Sequence, residues 1–180
     1  TVGYGVYSRK NWTTIKNCKI KEGKTSGSSK YAVYLVKAKN ATVKNNTIIN
    51  KGESYGSIYL ASGSNFNTLS NNNISTSGTS NFGHGIYLYT ALKNNITGNT
   101  IATLGPYGYA IYIQADSDFN TIINNNITTS GQYGHGVYIF QNSKSNILIN
   151  NNFTSSNTDA YSIYLYTASK NNITDNTIAT

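Results

Sequence analysis

Six acidic side chains are all the carboxylate chemistry available in 180 residues: Glu22, Glu53, Asp116, Asp118, Asp159 and Asp175. Only Asp116 and Asp118 stand close enough to act together. In extended backbone they share one face ~6.6 Å apart, a separation within the range that glycosidase carboxylates use. Counted along the repeat described below, Asp118 shares a column with Lys39, Ser64, Lys93, Lys144 and Lys170. A surface ladder of opposite charges accounts for that column without catalysis, since structural ion pairs imitate active sites. The two histidines, His84 and His135, fall in a second column with Tyr31, Gly56, Tyr109 and Tyr161. Two repeats set their backbones ~9.6 Å apart with Tyr109 between them. Zinc or copper needs nitrogens ~2 Å from one ion, so the histidines are expected to be stacked rings; no metal and no cofactor is expected. Cys18 stands alone, which leaves no internal disulfide, and is expected as a small buried side chain.

The elements that must position these residues recur. An aliphatic–Tyr–aliphatic strand appears as Val33-Tyr34-Leu35, Ile58-Tyr59-Leu60, Ile86-Tyr87-Leu88, Ile111-Tyr112-Ile113, Val137-Tyr138-Ile139 and Ile163-Tyr164-Leu165, with a shorter copy at Val6-Tyr7. A second aliphatic column reads Ile15, Val43, Leu69, Ile96, Ile122, Leu148 and Ile173, and a third follows five residues later, from Ile20 to Ile178. The period is about 26 residues, with three short strands and three turns in each. Apolar spacings of two and five exclude helical repeats, and no Leu-rich consensus is present. The pattern predicts an all-β fold: a right-handed parallel β-helix of about seven coils, residues 1–180 forming one domain with a partial coil at each end.

The turn between the second and third strands is specified by residue type. Its first column reads Asn17, Asn45, Asn71, Gly98, Asn124, Asn150 and Asp175, the types that tolerate left-handed backbone. The next reads Cys18, then Asn46, Asn72, Asn99, Asn125, Asn151 and Asn176. Six amides stacked ~4.8 Å apart can pass hydrogen bonds along the column. A further Asn column, from Asn67 to Asn171, precedes the second strand. The third turn is Gly-, Ser- and Thr-rich and is expected over residues 21–32, 49–57, 75–85, 102–110, 128–136 and 154–162.

Phrases such as Gly85-Ile86-Tyr87-Leu88 and Asn94-Asn95-Ile96-Thr97-Gly98-Asn99-Thr100-Ile101 resemble the right-handed parallel β-helix repeats of NosD-like, carbohydrate-binding and sugar-hydrolase-like proteins. Similar repeats occur in archaeal and bacterial cell-surface proteins. The resemblance implies the fold along the whole chain and leaves function divided among lyases, hydrolases, tailspikes, a copper-maturation protein and scaffolds. Polysaccharide lyases of this fold use acidic calcium ligands with an Arg or Lys base. If the chain is an enzyme, Asp116, Asp118, Lys93 and Lys144 are therefore its catalytic candidates; the reading preferred here assigns no catalytic residue.

In a strand the Tyr of each triplet points outward. Tyr34, Tyr59, Tyr87, Tyr112, Tyr138 and Tyr164 are expected to form an outer band ~30 Å long that binds another protein or a glycan. The net charge of +8 is concentrated: eleven of fourteen basic residues lie between Arg9 and Lys51. Such an end can meet an acidic glycan or the acidic end of another copy; clustering at one end rather than along the stripe argues against nucleic acid. No apolar run reaches the length of a membrane span. Of eight sequons, Asn73, Asn126 and Asn152 share one outward column and are the glycosylation candidates, whereas Asn45 and Asn95 read as turn residues. Ile178-Ala179-Thr180 leads toward Thr1-Val2-Gly3 much as one coil leads into the next. Together these features predict an extracellular or cell-surface structural protein that stacks end to end with copies of itself into a filament or surface layer. The alternative is a carbohydrate-active or glycan-binding β-helix.

Overall fold

The computed structural model describes residues 3–22, 30–51, 56–78 and 82–179. Glu53 and the Thr180-to-Thr1-Val2 join lie outside the described residues. Three parallel sheets of seven strands each form the walls of a solenoid, and each strand pairs with its counterpart one coil on. The first sheet contains Gly3–Ser8, Lys30–Val36, Ile58–Ala61, Ile86–Tyr89, Ile111–Gln114, Val137–Phe140 and Ile163–Tyr166. The second contains three-residue strands from Thr14–Lys16 to Asn172–Thr174, and the third runs from Lys19–Glu22 to Thr177–Ala179. Register is in step throughout: Tyr87 pairs with Tyr59 and Tyr112, Ile96 with Leu69 and Ile122, Ile101 with Ile74 and Ile127. The third-sheet strands reach a few residues into the segments expected as turns, because Thr76, Thr103 and Thr129 continue the ladder with buried side chains.

Period-two alternation fills the interior. Val33, Leu35, Val43 and Ile48 of one coil stack beneath Ile58, Leu60, Leu69 and Ile74 of the next, all fully buried. At ~1.5–3 kcal/mol per buried aliphatic, no coil offsets the ~1–2 kcal/mol per residue needed to order its backbone, so each depends on its neighbours. Where the first sheet begins, the walls come too close for a side chain. A methyl group at Gly85 would lie 2.5 Å from both the Ala110 carbonyl oxygen and Ile101.

Corners are set by left-handed residues. Asn17, Asn45, Asn71, Gly98, Asn124, Asn150 and Asp175 all have φ between 53 and 64°, as their residue types require. The corner between first and second sheets varies in length by one residue. Five-residue turns open with a single left-handed residue at Lys37, Thr90 or Thr167. Six-residue turns take up the extra residue with a left-handed pair: Ser62-Gly63, Ala115-Asp116 or Gln141-Asn142.

Candidate functional site

Two amide ladders run through the interior. In the first, Nδ2 of Asn46, Asn72, Asn99, Asn125 and Asn151 donates to Oδ1 of the next Asn, ending at Asn176, at 2.9–3.0 Å. The second links Asn67, Asn94, Asn120, Asn146 and Asn171 in the same way. Each Oδ1 also accepts a backbone N–H from the preceding coil, as Asn125 does from Asn99. These bonds satisfy corner groups that would cost ~1–3 kcal/mol each if buried unpaired. Cys18 holds the corresponding place in the first coil, and its backbone N–H donates to Asn46 Oδ1. The thiol is exposed rather than buried, because no described coil precedes it.

The tyrosines face outward and stack on one another. From Tyr34 to Tyr164, consecutive ring centroids lie 4.8–5.2 Å apart with interplanar angles of 12–25°. In-register parallel pairing produces this, since one coil spacing is close to the separation of stacked rings. The ring faces are therefore spent on each other, and edges and hydroxyls meet the surroundings. A second ring column shields the first: Tyr109 is sandwiched between His84, at 4.8 Å, and His135, at 5.2 Å. Desolvation drives Tyr87 and Tyr112 far above the usual phenol range and pushes Tyr138 up to about 12. The band expected to bind a protein or a glycan is thus also a self-stacked ladder.

The histidines are corner acceptors as well as stacked rings. His84 Nδ1 accepts the Tyr109 backbone N–H at 3.1 Å, and His135 Nδ1 accepts that of Tyr161 at 3.0 Å. Burial lowers His84 to a pKa of about 3 and His135 to about 4, so both are neutral near pH 7. Among the described residues no group of three metal-binding side chains occurs.

The acidic pair takes a different geometry from the extended one. Asp116 is exposed on a left-handed bend, and its N–H donates to the Gln141 carbonyl. Asp118 is buried, and its Oδ1 accepts the Lys144 backbone N–H at 2.8 Å. Asn11 and Asn65 make the same contact to Lys39 and Leu92. The true column is thus Asn11, Lys39, Asn65, Leu92, Asp118, Lys144 and Ser169, not the lysine-flanked one, because turn length shifts the count by a residue. Lys93 belongs one position further on, where its Nζ sits over the rings of Phe66 at 5.4 Å and Phe119 at 6.0 Å. Sequence reasoning missed this cation–π stack, although a column counted back from the second strand aligns the three residues. Asp118 and Lys144 are neighbours in the column that begins at Asn11 and Lys93 lies one position from it, while Asp116 stands on the exposed bend before them.

Asn73, Asn126 and Asn152 are exposed in one column, with Asn152 Nδ2 donating to Asn126 Oδ1. Asn45 lies in a turn, but Asn95 opens the strand Asn95–Thr97 and is not a turn residue.

Three parallel in-register sheets with stacked interior amides define a β-solenoid. The family model described as right handed beta helix region matches residues 4–178, and the chain belongs to that family. A solved structure of a mutant DFA-IIIase from Arthrobacter chlorophenolicus A6, in complex with DFA-III, is similar in fold, with a TM-score of 0.56 and 20% identity. That likeness covers 69% of this chain and 26% of the other, so the chain spans about a quarter of that enzyme's length. No curated protein matches the sequence significantly.

Proposed function

We propose that the chain is a non-enzymatic structural β-helix of the cell exterior, its C-terminal coil stacking on the first coil of another copy to build a filament or surface layer. The observation that carries this reading is the unbroken register of all three sheets from coil to coil, with every strand from the first coil to the last pairing in step with its counterpart. Coils matched in this way pair equally well with an equivalent coil of another copy. Tyr161 and Tyr164 end the ring columns in the last coil, and exposed Tyr4 and Tyr7 end them in the first. A head-to-tail contact continues both columns and sets the basic first coil against the less basic last one, a heterologous contact that grows an open fibre. The exposed sequon column supports an exterior location.

Sedimentation and negative-stain microscopy of the purified chain test it. Particles lengthening with concentration are expected, with Ile178→Asp holding the protein monomeric. A monomer at every concentration would overturn the proposal, as would a native chain heavier than 19.6 kDa whose extra residues form the missing neighbour. The second reading, a carbohydrate-active β-helix, draws on fold similarity to the DFA-IIIase; release of sugars from a polysaccharide, lost in Asp118→Asn, would favour it.

A further inference from the structure

The corner between the first and second sheets carries a row of side chains that folding does not explain. Trp12, Asn40, Phe66, Lys93, Phe119, Ser145 and Lys170 occupy one turn position in seven successive coils, all left-handed with φ of 55–60°. Asn is at ease in that conformation and bulky side chains are strained. Yet Trp12, Phe66 and Phe119 place rings there with 74, 49 and 51% of their surface exposed. Neither backbone preference nor burial selects them. Lys93 lies between the two Phe rings, so the outer face of each turns toward a short side chain, Asn40 or Ser145. The row therefore reads ring, slot, ring, cation, ring, slot, cation.

The same corner is basic. Its seven turns hold seven of the fourteen basic residues against two acids, Asp116 and Asp118, and Asp118 is turned inward onto the Lys144 amide. Toward the first coil it opens into a cleft of about 450 Å³ lined by Lys37 and Lys39 with the amides of Asn11 and Asn65.

We propose that this corner binds a linear acidic polysaccharide running along the solenoid axis. Lysines spaced coil by coil meet carboxylate or sulfate groups, ring faces meet the apolar faces of sugar rings, and amides meet hydroxyls. Rings two coils apart are separated by ~9.6 Å, about the length of a disaccharide in an extended chain. Stacked bases recur roughly every 3.4 Å along a strand and would need a more continuous platform. The inference does not depend on end-to-end stacking.

Trp12 is the only tryptophan, so its fluorescence reports on the site directly. Titration with polygalacturonate is expected to shift or quench its emission, with an affinity that falls as salt rises. Asn already occupies this turn position, so Phe66→Asn, Lys93→Asn and Phe119→Asn keep the fold, checked by circular dichroism. Each is expected to weaken binding about tenfold, the loss of one well-placed contact. Lys51→Asn, away from the corner, is expected to change it less than twofold. Failure of polygalacturonate to bind would overturn the proposal. So would equal affinity for neutral dextran, equal or tighter binding of oligo-dT, or an equal loss in Lys51→Asn.

Discussion

The first and last coils are built from the same three strands and present opposite surfaces. Ile15 and Ile20 in the first are 7 and 8% exposed, while their counterparts Ile173 and Ile178 are 38 and 54% exposed. The amide columns differ as well: the last coil ends on Asn171 and Asn176, whereas the first offers Thr13 and Cys18 at those positions. A coil here is stabilised by its neighbours more than by its own residues. Identical strand patterns thus give buried rungs in the first coil and half-exposed rungs in the last.

The largest test of that contrast is one column probed at two depths. Phe153→Ala removes a buried rung and is expected to cost ~3–5 kcal/mol, whereas Ile178→Ala, half in solvent, should cost about 1 kcal/mol or less. Urea unfolding reads both, and equal costs would show that the last coil is as well packed as the others. Asn125→Ala breaks both directions of a buried ladder and leaves corner groups unpaired, an expected loss of ~2–3 kcal/mol. Asn176→Ala should lose less than half of that.

Acid acts on the half of the molecule that contains both histidines. Their folded pKa values, about 3 for His84 and about 4 for His135, lie below the unfolded value of ~6.5. The unfolded chain therefore binds more protons at mildly acidic pH, and the stability from keeping these rings neutral is complete above ~6.5. It declines as pH falls from there toward the folded values, at up to ~1.4 kcal/mol per unit for each ring. Hydrogen exchange should show the Tyr109 and Tyr161 amides opening first near pH 4.5, ahead of the first coil; uniform opening would contradict this. The smallest effect is expected of Cys18→Asn. It gives Asn46 Oδ1 a second donor and should raise stability by ~0.5–1.5 kcal/mol in urea unfolding.

The solenoid was legible because its corners restrict residue type. A left-handed bend admits Asn, Asp or Gly, and a stacked amide admits Asn, so those columns stand out in the sequence. Periodicity in the strands then fixed the inward residues, from Val33 to Phe153. The candidate site was less legible. Period gave both the outward direction of the tyrosines and their stacking into a ladder, but not that the second ring column, of His84, Tyr109, His135 and Tyr161, packs against it. The column of Asp118 was miscounted at Ser64, Lys93 and Lys170, because turns of five and six residues differ by one left-handed residue and the count slides by one. Phe66 and Phe119 sit in bends where residue preference points to Asn, so no propensity marks them.

The amide ladders have a direction. In every link the Nδ2 end faces the C-terminal side and Oδ1 the N-terminal side, so eleven side-chain dipoles add along the axis instead of cancelling. As in a helix macrodipole, partial negative charge accumulates at one pole, here the first coil. That pole is where the chain concentrates its lysines, eleven of the fourteen basic residues falling between Arg9 and Lys51. The lopsided charge of the sequence and the polarity of the amide ladders thus fall at the same pole, with opposite sign.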